Sequence, residues 1–174
     1  MRLLLLLFCS LLMKNESASA QSTDKPDLSA QSQPAMMQTY TIRLRPGQDL
    51  KAELDAFVVA HRIEAGALLT CVGSLTDLSL RLANQDDPTS WQGHFEIVSL
   101  VGTLSTNGSH LHLSAADSTG RTLGGHLMAG CRIYTTAEVL IGVMPDLVYT
   151  REPDPTYGYR ELVIRKKSIV KKRR

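Results

Sequence analysis

The chain has 174 residues, 43% of them hydrophobic, which bounds one globular domain with tails and is long enough to bury a real core. Its net charge of +2 is uneven: residues 165–174 hold seven Lys and Arg and no acid. Without them, 12 basic and 17 acidic residues leave a body near −5, a poor general surface for phosphates.

Residues 1–20 differ from the rest. Arg2 precedes an apolar run of 11 residues, Leu3 to Met13, too short to span a bilayer and suited to the core of a signal peptide. Ala18-Ser19-Ala20 supplies a small-x-small cleavage pattern ahead of Gln21. The competing reading is an upstream extension before a start at Met36 or Met37. Residues 21–37 are rich in Ser, Gln, Asp and Pro and read as a disordered linker.

The domain is expected over residues 38–165. Tyr40, Ile42 and Leu44 alternate with polar neighbours, the pattern of a half-buried strand over Gln38 to Leu44. Pro46-Gly47 ends it. A helix is expected from about Asp49 to Arg62, with Leu50, Leu54, Phe57, Val58 and His61 on one face and Asp49 as N-cap. His61 reads as a solvated or carbonyl-bonded helix end. Ala67 to Gly73 is nearly all apolar and predicts a central strand buried on both faces, with Cys71 an inert core thiol. Gly73-Ser74 is expected to break that run, and Thr76 to Leu82 to form a separate strand. Asn84 to Gly93 reads as a polar loop holding Trp91, a rim-packing residue or a lid. Phe95 to Ser105 is a strand, and Asn107-Gly108 signals a hairpin. A two-residue turn there pairs positions summing to 215, with Thr103 beside His112 and Ser105 beside His110. Their small hydroxyls would leave room around the imidazoles and hold a free ring nitrogen.

His110, His112 and Ser114 then alternate with Leu111, Leu113 and Ala115. Successive strand side chains point to opposite faces, so both histidines share one face and the leucines the other. Asp117-Ser118-Thr119-Gly120 has Asp at the first position of a type I turn and Gly at the fourth, where a left-handed residue closes a three-residue loop. In that register positions summing to 238 are opposite, so His112 faces His126. His110 lies two residues along the same face, roughly 7 Å away. Three of the five histidines thus converge, and three imidazoles suit zinc or another divalent transition metal with one position left open.

After Gly130-Cys131, Ile133 to Val143 predicts a long strand rich in β-branched residues, read as an edge that needs cover. Glu138 on it has two readings: a paired carboxylate at a seam, or a fourth ligand or general base near the metal. Cys131 is a soft candidate ligand and otherwise a core residue. Pro145 to Tyr157 reads as a loop with three prolines, and Tyr159 to Arg165 as the last strand. Residues 166–174 are a basic tail. Cys71 and Cys131 offer no disulfide framework, which points to a reducing compartment, whereas the leader points to secretion; the Asn107-Gly108-Ser109 glycosylation sequon matters only in a secreted protein and lies awkwardly beside the histidines.

The joint pattern Gly102-Thr103-Leu104-Ser105, His110-Leu111-His112-Leu113, Asp117, Gly120-Arg121, Gly124-Gly125-His126-Leu127, Gly130-Cys131 and Thr135-Thr136-Ala137-Glu138-Val139 resembles the PPC domain, the plants-and-prokaryotes conserved domain. Arg43 to Leu50, Gly73-Ser74-Leu75 and Gly158 to Ile164 extend the resemblance over residues 37–166. It implies a compact α+β fold with a mostly antiparallel, strongly curved sheet and few helices, a homotrimer, and a metal site in histidine-bearing members. Prokaryotic members often carry a DNA-binding label. The fold also resembles, distantly, that of zinc-dependent acetolactate decarboxylases, with a similar His-x-His…His arrangement.

Three functions fit these residues. One is a metal-binding trimer, with zinc or another divalent transition metal, whose role is to bind a partner or a ligand such as a small molecule at the metal. Another is a zinc-dependent hydrolase or lyase. The last is a DNA-binding protein acting through the domain and the basic tail. The Arg-Gly-Arg-Pro hook of plant PPC proteins is absent from the sequence. DNA binding is therefore expected to be weak, independent of sequence and carried by residues 165–174. Truncation after Ile164 should abolish it, and His110→Ala should leave it unchanged, in a gel-shift assay across a salt series. Sequence-selective binding that survives truncation and raised salt would refute this.

Overall fold

The computed structural model describes residues 32–156 and 158–167. The expected leader, most of the linker and residues 168–174 of the tail lie outside the described residues. The order is β1 (Gln38–Leu44), α1 (Leu50–Ala60), β2 (Gly66–Arg81), β3 (Pro88–Leu104), β4 (His110–Ala116), β5 (Thr122–Leu127), β6 (Ile133–Val143), β7 (Leu147–Pro153) and β8 (Arg160–Lys166). Six strands form one sheet in the order β1-β6-β2-β3-β4-β5, and β7 and β8 form a second, two-stranded sheet. All the strand pairings are antiparallel, so the fold is α+β with a single helix among the described residues.

The sheet curves because β2 is long and irregular. Its 16 residues are one strand, not two. Gly73-Ser74 shifts the register against β6 without ending the strand, as a β-bulge does. The first part of β2 pairs with β6, and Leu80 and Arg81 at its far end pair with Leu127 and His126 of β5. The path β2-β3-β4-β5 therefore returns to β2 and closes one end of the sheet. Leu75, Leu78, Leu80, Leu100, Leu104, Leu113, Val139 and Ile141 fill the interior at 0–1% exposure. Helix α1 adds Leu50, Leu54 and Val58 to the same cluster. Asp49 caps it by accepting from the Ala52 amide at 3.0 Å, as the sequence predicts.

Several local expectations change. The run Ala67–Gly73 is not buried on both faces: among the described residues Leu69 and Val72 stay 41% and 56% exposed. Trp91 sits within β3, paired with Leu78 and packed against the core, not in a loop. Strand β6 is interior to the sheet, flanked by β1 and β2, so β1 is the edge. The proline-bearing segment after Val143 is largely strand β7, paired with β8. Strand β8 runs to Lys166, and Lys167 donates its amide to Asp146 and pairs with Glu64, so a truncation that spares the fold falls after Lys167.

One backbone contact ties β3 to the histidine strand. Gly102 pairs with Leu111 and has φ +140, and a Cβ there would lie 2.0 Å from the His110 carbonyl oxygen. Backbone on the neighbouring strand cannot yield cheaply. Gly102→Ala should therefore destabilise the fold by at least about 2 kcal/mol and spread β3 from β4. Thermal melts check this, and a melting temperature equal to the parent's would refute it.

Candidate metal centre

The histidine hairpin forms as its turn chemistry dictates. The Gly120 amide donates to the Asp117 carbonyl and the Asp117 amide to the Arg121 carbonyl, both at 2.9 Å. Gly120 takes φ +84. The Asp117 carboxylate accepts from the Thr119 amide, the Thr119 hydroxyl and the Arg121 amide at 2.9, 2.6 and 3.1 Å, and these bonds hold its carboxyl below the ordinary carboxylate range. The ladder that follows pairs Ala116 with Thr122 and His112 with His126. Leu111, Leu113 and Ala115 are buried while His110 and His112 are exposed. A slip of one residue would exchange those faces, so burial of the leucines holds the register.

Strand closure then positions His126. It is the register partner of Arg81 across the β2–β5 seam. Gly125 makes that approach possible, since a Cβ on it would lie 2.7 Å from the Arg81 carbonyl oxygen. The result is a tight triad. His110 Nε2 lies 3.2 Å from His112 Nε2 and 3.2 Å from His126 Nδ1. One ligand atom from each of the three lies within 4.8 Å of the others. Zinc with nitrogen ligands at 2.0–2.1 Å in a tetrahedron sets those atoms about 3.3 Å apart, so the donor set fits the metal.

The electrostatics favour the neutral form of His110 and of His126, the form that binds metal. Partial burial lowers the His110 pKa from its ordinary 6.5, with Arg151 and His112 adding to the effect and Glu161 opposing it. Burial lowers that of His126 too, followed by Arg81, His112 and His110.

Other candidates stand elsewhere. Glu138 is exposed on β6, opposite Arg43 and Val72, and is not part of the triad's cluster. Cys131 is fully buried; its Sγ accepts from the Ser79 amide at 3.2 Å, and burial pushes the thiol up to about 11. Cys71 is also buried, pushed up to about 12, and both thiols are free. His61 caps α1 and packs on Phe57, and His94 packs on Tyr134.

The β3–β4 connection differs from the expected two-residue turn. Ser105 is buried and donates to the Tyr149 carbonyl at 2.9 Å, which draws it out of the ladder. The register moves by two, so Thr103 faces His110 and Val101 faces His112. Ser105 therefore does not reach the histidines. The Thr103 hydroxyl accepts from the Arg151 guanidinium at 2.8 Å instead of serving an imidazole. Arg81, Arg151 and Glu161 went unrecognised as neighbours of the site; all three line one open cleft of about 1020 Å³ with His110 and His126. Only recognition of β7 and of the β2–β5 seam would have brought them in.

Among known proteins, the chain is 47% identical over 130 residues to the bifunctional protein GlmU of Synechococcus sp. (strain JA-3-3Ab), a stretch covering 75% of this chain and 21% of that protein. It thus spans about a fifth of the length of these curated relatives. A hypothetical protein from Salmonella cholerae-suis superposes with a TM-score of 0.77 at 43% identity, covering 78% of this chain and 99% of that one. A metal-containing protein from Archaeoglobus fulgidus shares the fold with a TM-score of 0.65 at 20% identity, over 76% of this chain and 99% of that one. The sequence profile of the Plants and Prokaryotes Conserved (PCC) domain matches residues 31–145, most of the folded part, and the chain belongs to that family.

Proposed function

We propose that this protein is a zinc-binding homotrimer whose metal, held by His110, His112 and His126, presents an open position to a small-molecule ligand. The observation that carries the reading is the pair of 3.2 Å nitrogen separations, His110 to His112 along β4 and His110 to His126 between β4 and β5. A bound zinc ion would supply a Lewis acid and an activated water. The chain's part is to hold three imidazoles at a fixed spacing and to keep a cleft open beside them. For the hydrolase or lyase reading, Glu138 stands outside the triad's cluster, and the carboxylate whose charge acts on His110 is Glu161.

Metal analysis of the purified protein should give about one zinc per chain. His112→Ala should lower zinc affinity by more than about 100-fold, since even outer partners of a ligand contribute 10–100-fold. Full metal content in both His112→Ala and His126→Ala would refute the assignment.

Support for the trimer comes from the uncovered side of the sheet. Leu69 and Val72 on β2 and Val98 and Val101 on β3 are 41–59% exposed on adjacent strands. An apolar face of this kind favours burial against a partner. Light scattering should give close to three times the 19.1 kDa chain mass at micromolar concentration. Val72→Glu combined with Val101→Glu should yield monomers; a monomeric parent would refute the assembly.

A further inference from the structure

The cleft beside the triad is markedly cationic. Arg81, Arg151, Arg160 and Lys51 line it against Asp86 and Glu161. The Lys51 ammonium is committed to Asp55. The three arginines form no ion pair among the described residues. Their hydrogen bonds go to neutral groups. Arg81 donates to the Gln85 carbonyl at 3.3 Å, Arg151 to the Thr103 hydroxyl at 2.8 Å, and Arg160 to the Arg151 carbonyl at 3.0 and 2.6 Å. A guanidinium has five N–H donors, so each retains most of its capacity.

Two of these guanidiniums are placed by the same ladder that places the histidines. Thr103, which anchors Arg151, is the register partner of His110. Arg81 is the register partner of His126. Backbone pairing therefore sets one fixed cation beside each of two imidazoles. Cations at that position oppose a dication on the triad unless negative charge accompanies it. A guanidinium fork matches a carboxylate or a phosphate by paired, charge-assisted hydrogen bonds.

We propose that this cleft is an oxyanion site in which Arg81 and Arg151 hold a small-molecule carboxylate or phosphate against the histidine triad. The proposal deepens the metal reading, and rests on it for the bound metal alone. The arginines neutralise the ligand and fix its orientation. Concavity favours a small anion over an extended polyanion. The cleft is open enough to admit and release it.

The test is calorimetric titration of the full chain, with and without zinc, using malonate in one arm and inorganic phosphate in the other. Zinc content and thermal stability are measured on every sample. The parent should bind at least one of the two anions, and the arm with the higher affinity identifies the ligand chemistry. Arg151→Met and Arg81→Met should each weaken binding by about 10-fold or more with zinc content unchanged. Arg151→Lys keeps the charge but not the fork and should recover only part of the loss. A parent that carries no zinc would overturn the metal reading alone, because the zinc-free titration still reports the arginines. The anion proposal is overturned if neither anion binds up to about 10 mM, or if both Met variants bind like the parent. It is also overturned if a DNA duplex displaces the anion through the same two arginines.

Discussion

Everything at the site depends on the pairing of β4 with β5. Two unrelated constraints hold it. The turn constraint is local: the Asp117 carboxylate accepts three bonds across Thr119 and Arg121, and Gly120 adopts a left-handed backbone that other residues resist. The face constraint is global: Leu111 and Leu113 belong to the buried cluster, so the strand cannot slip without exposing them. The histidines have no say in this. They are carried to one another by leucines on the opposite face and by a turn several residues away.

The second structural dependence is the closure of the sheet on itself. Strand β2 reaches β5 because bulges let one long strand change partners along its length. Gly125 removes the side chain that would obstruct the seam. Closure sets the charge environment of His126, since Arg81 sits directly across from it. The histidine triad thus sits beside guanidiniums that form no ion pair among the described residues. The buried thiols take no part. Cys131 bonds to the Ser79 backbone inside the core, where its thiolate is strongly disfavoured.

The exposed valines and leucine on β2 and β3 belong to the outer side of the same sheet. Val101 pairs with His112, so the apolar patch begins next to the triad. Apolar surface left exposed among the described residues thus borders the site.

Alternation and turn residues alone determined the half-buried strand β1, the capped helix α1, the bounds of β6 and the register that brings His110, His112 and His126 together. These are local properties, each set by side-chain direction or by one turn's backbone preference. Tertiary structure decided the rest. Ser105 left the ladder because its hydroxyl found the Tyr149 carbonyl, 44 positions away, and the neighbouring register moved by two. Strand β7 formed despite its proline because β8 supplied a partner, and with it came Arg151. Arg81 reached His126 only through closure of the sheet. A residue's partner across a non-local seam depends on strand order and curvature, which no window of sequence contains; the histidines were legible because one hairpin holds all three.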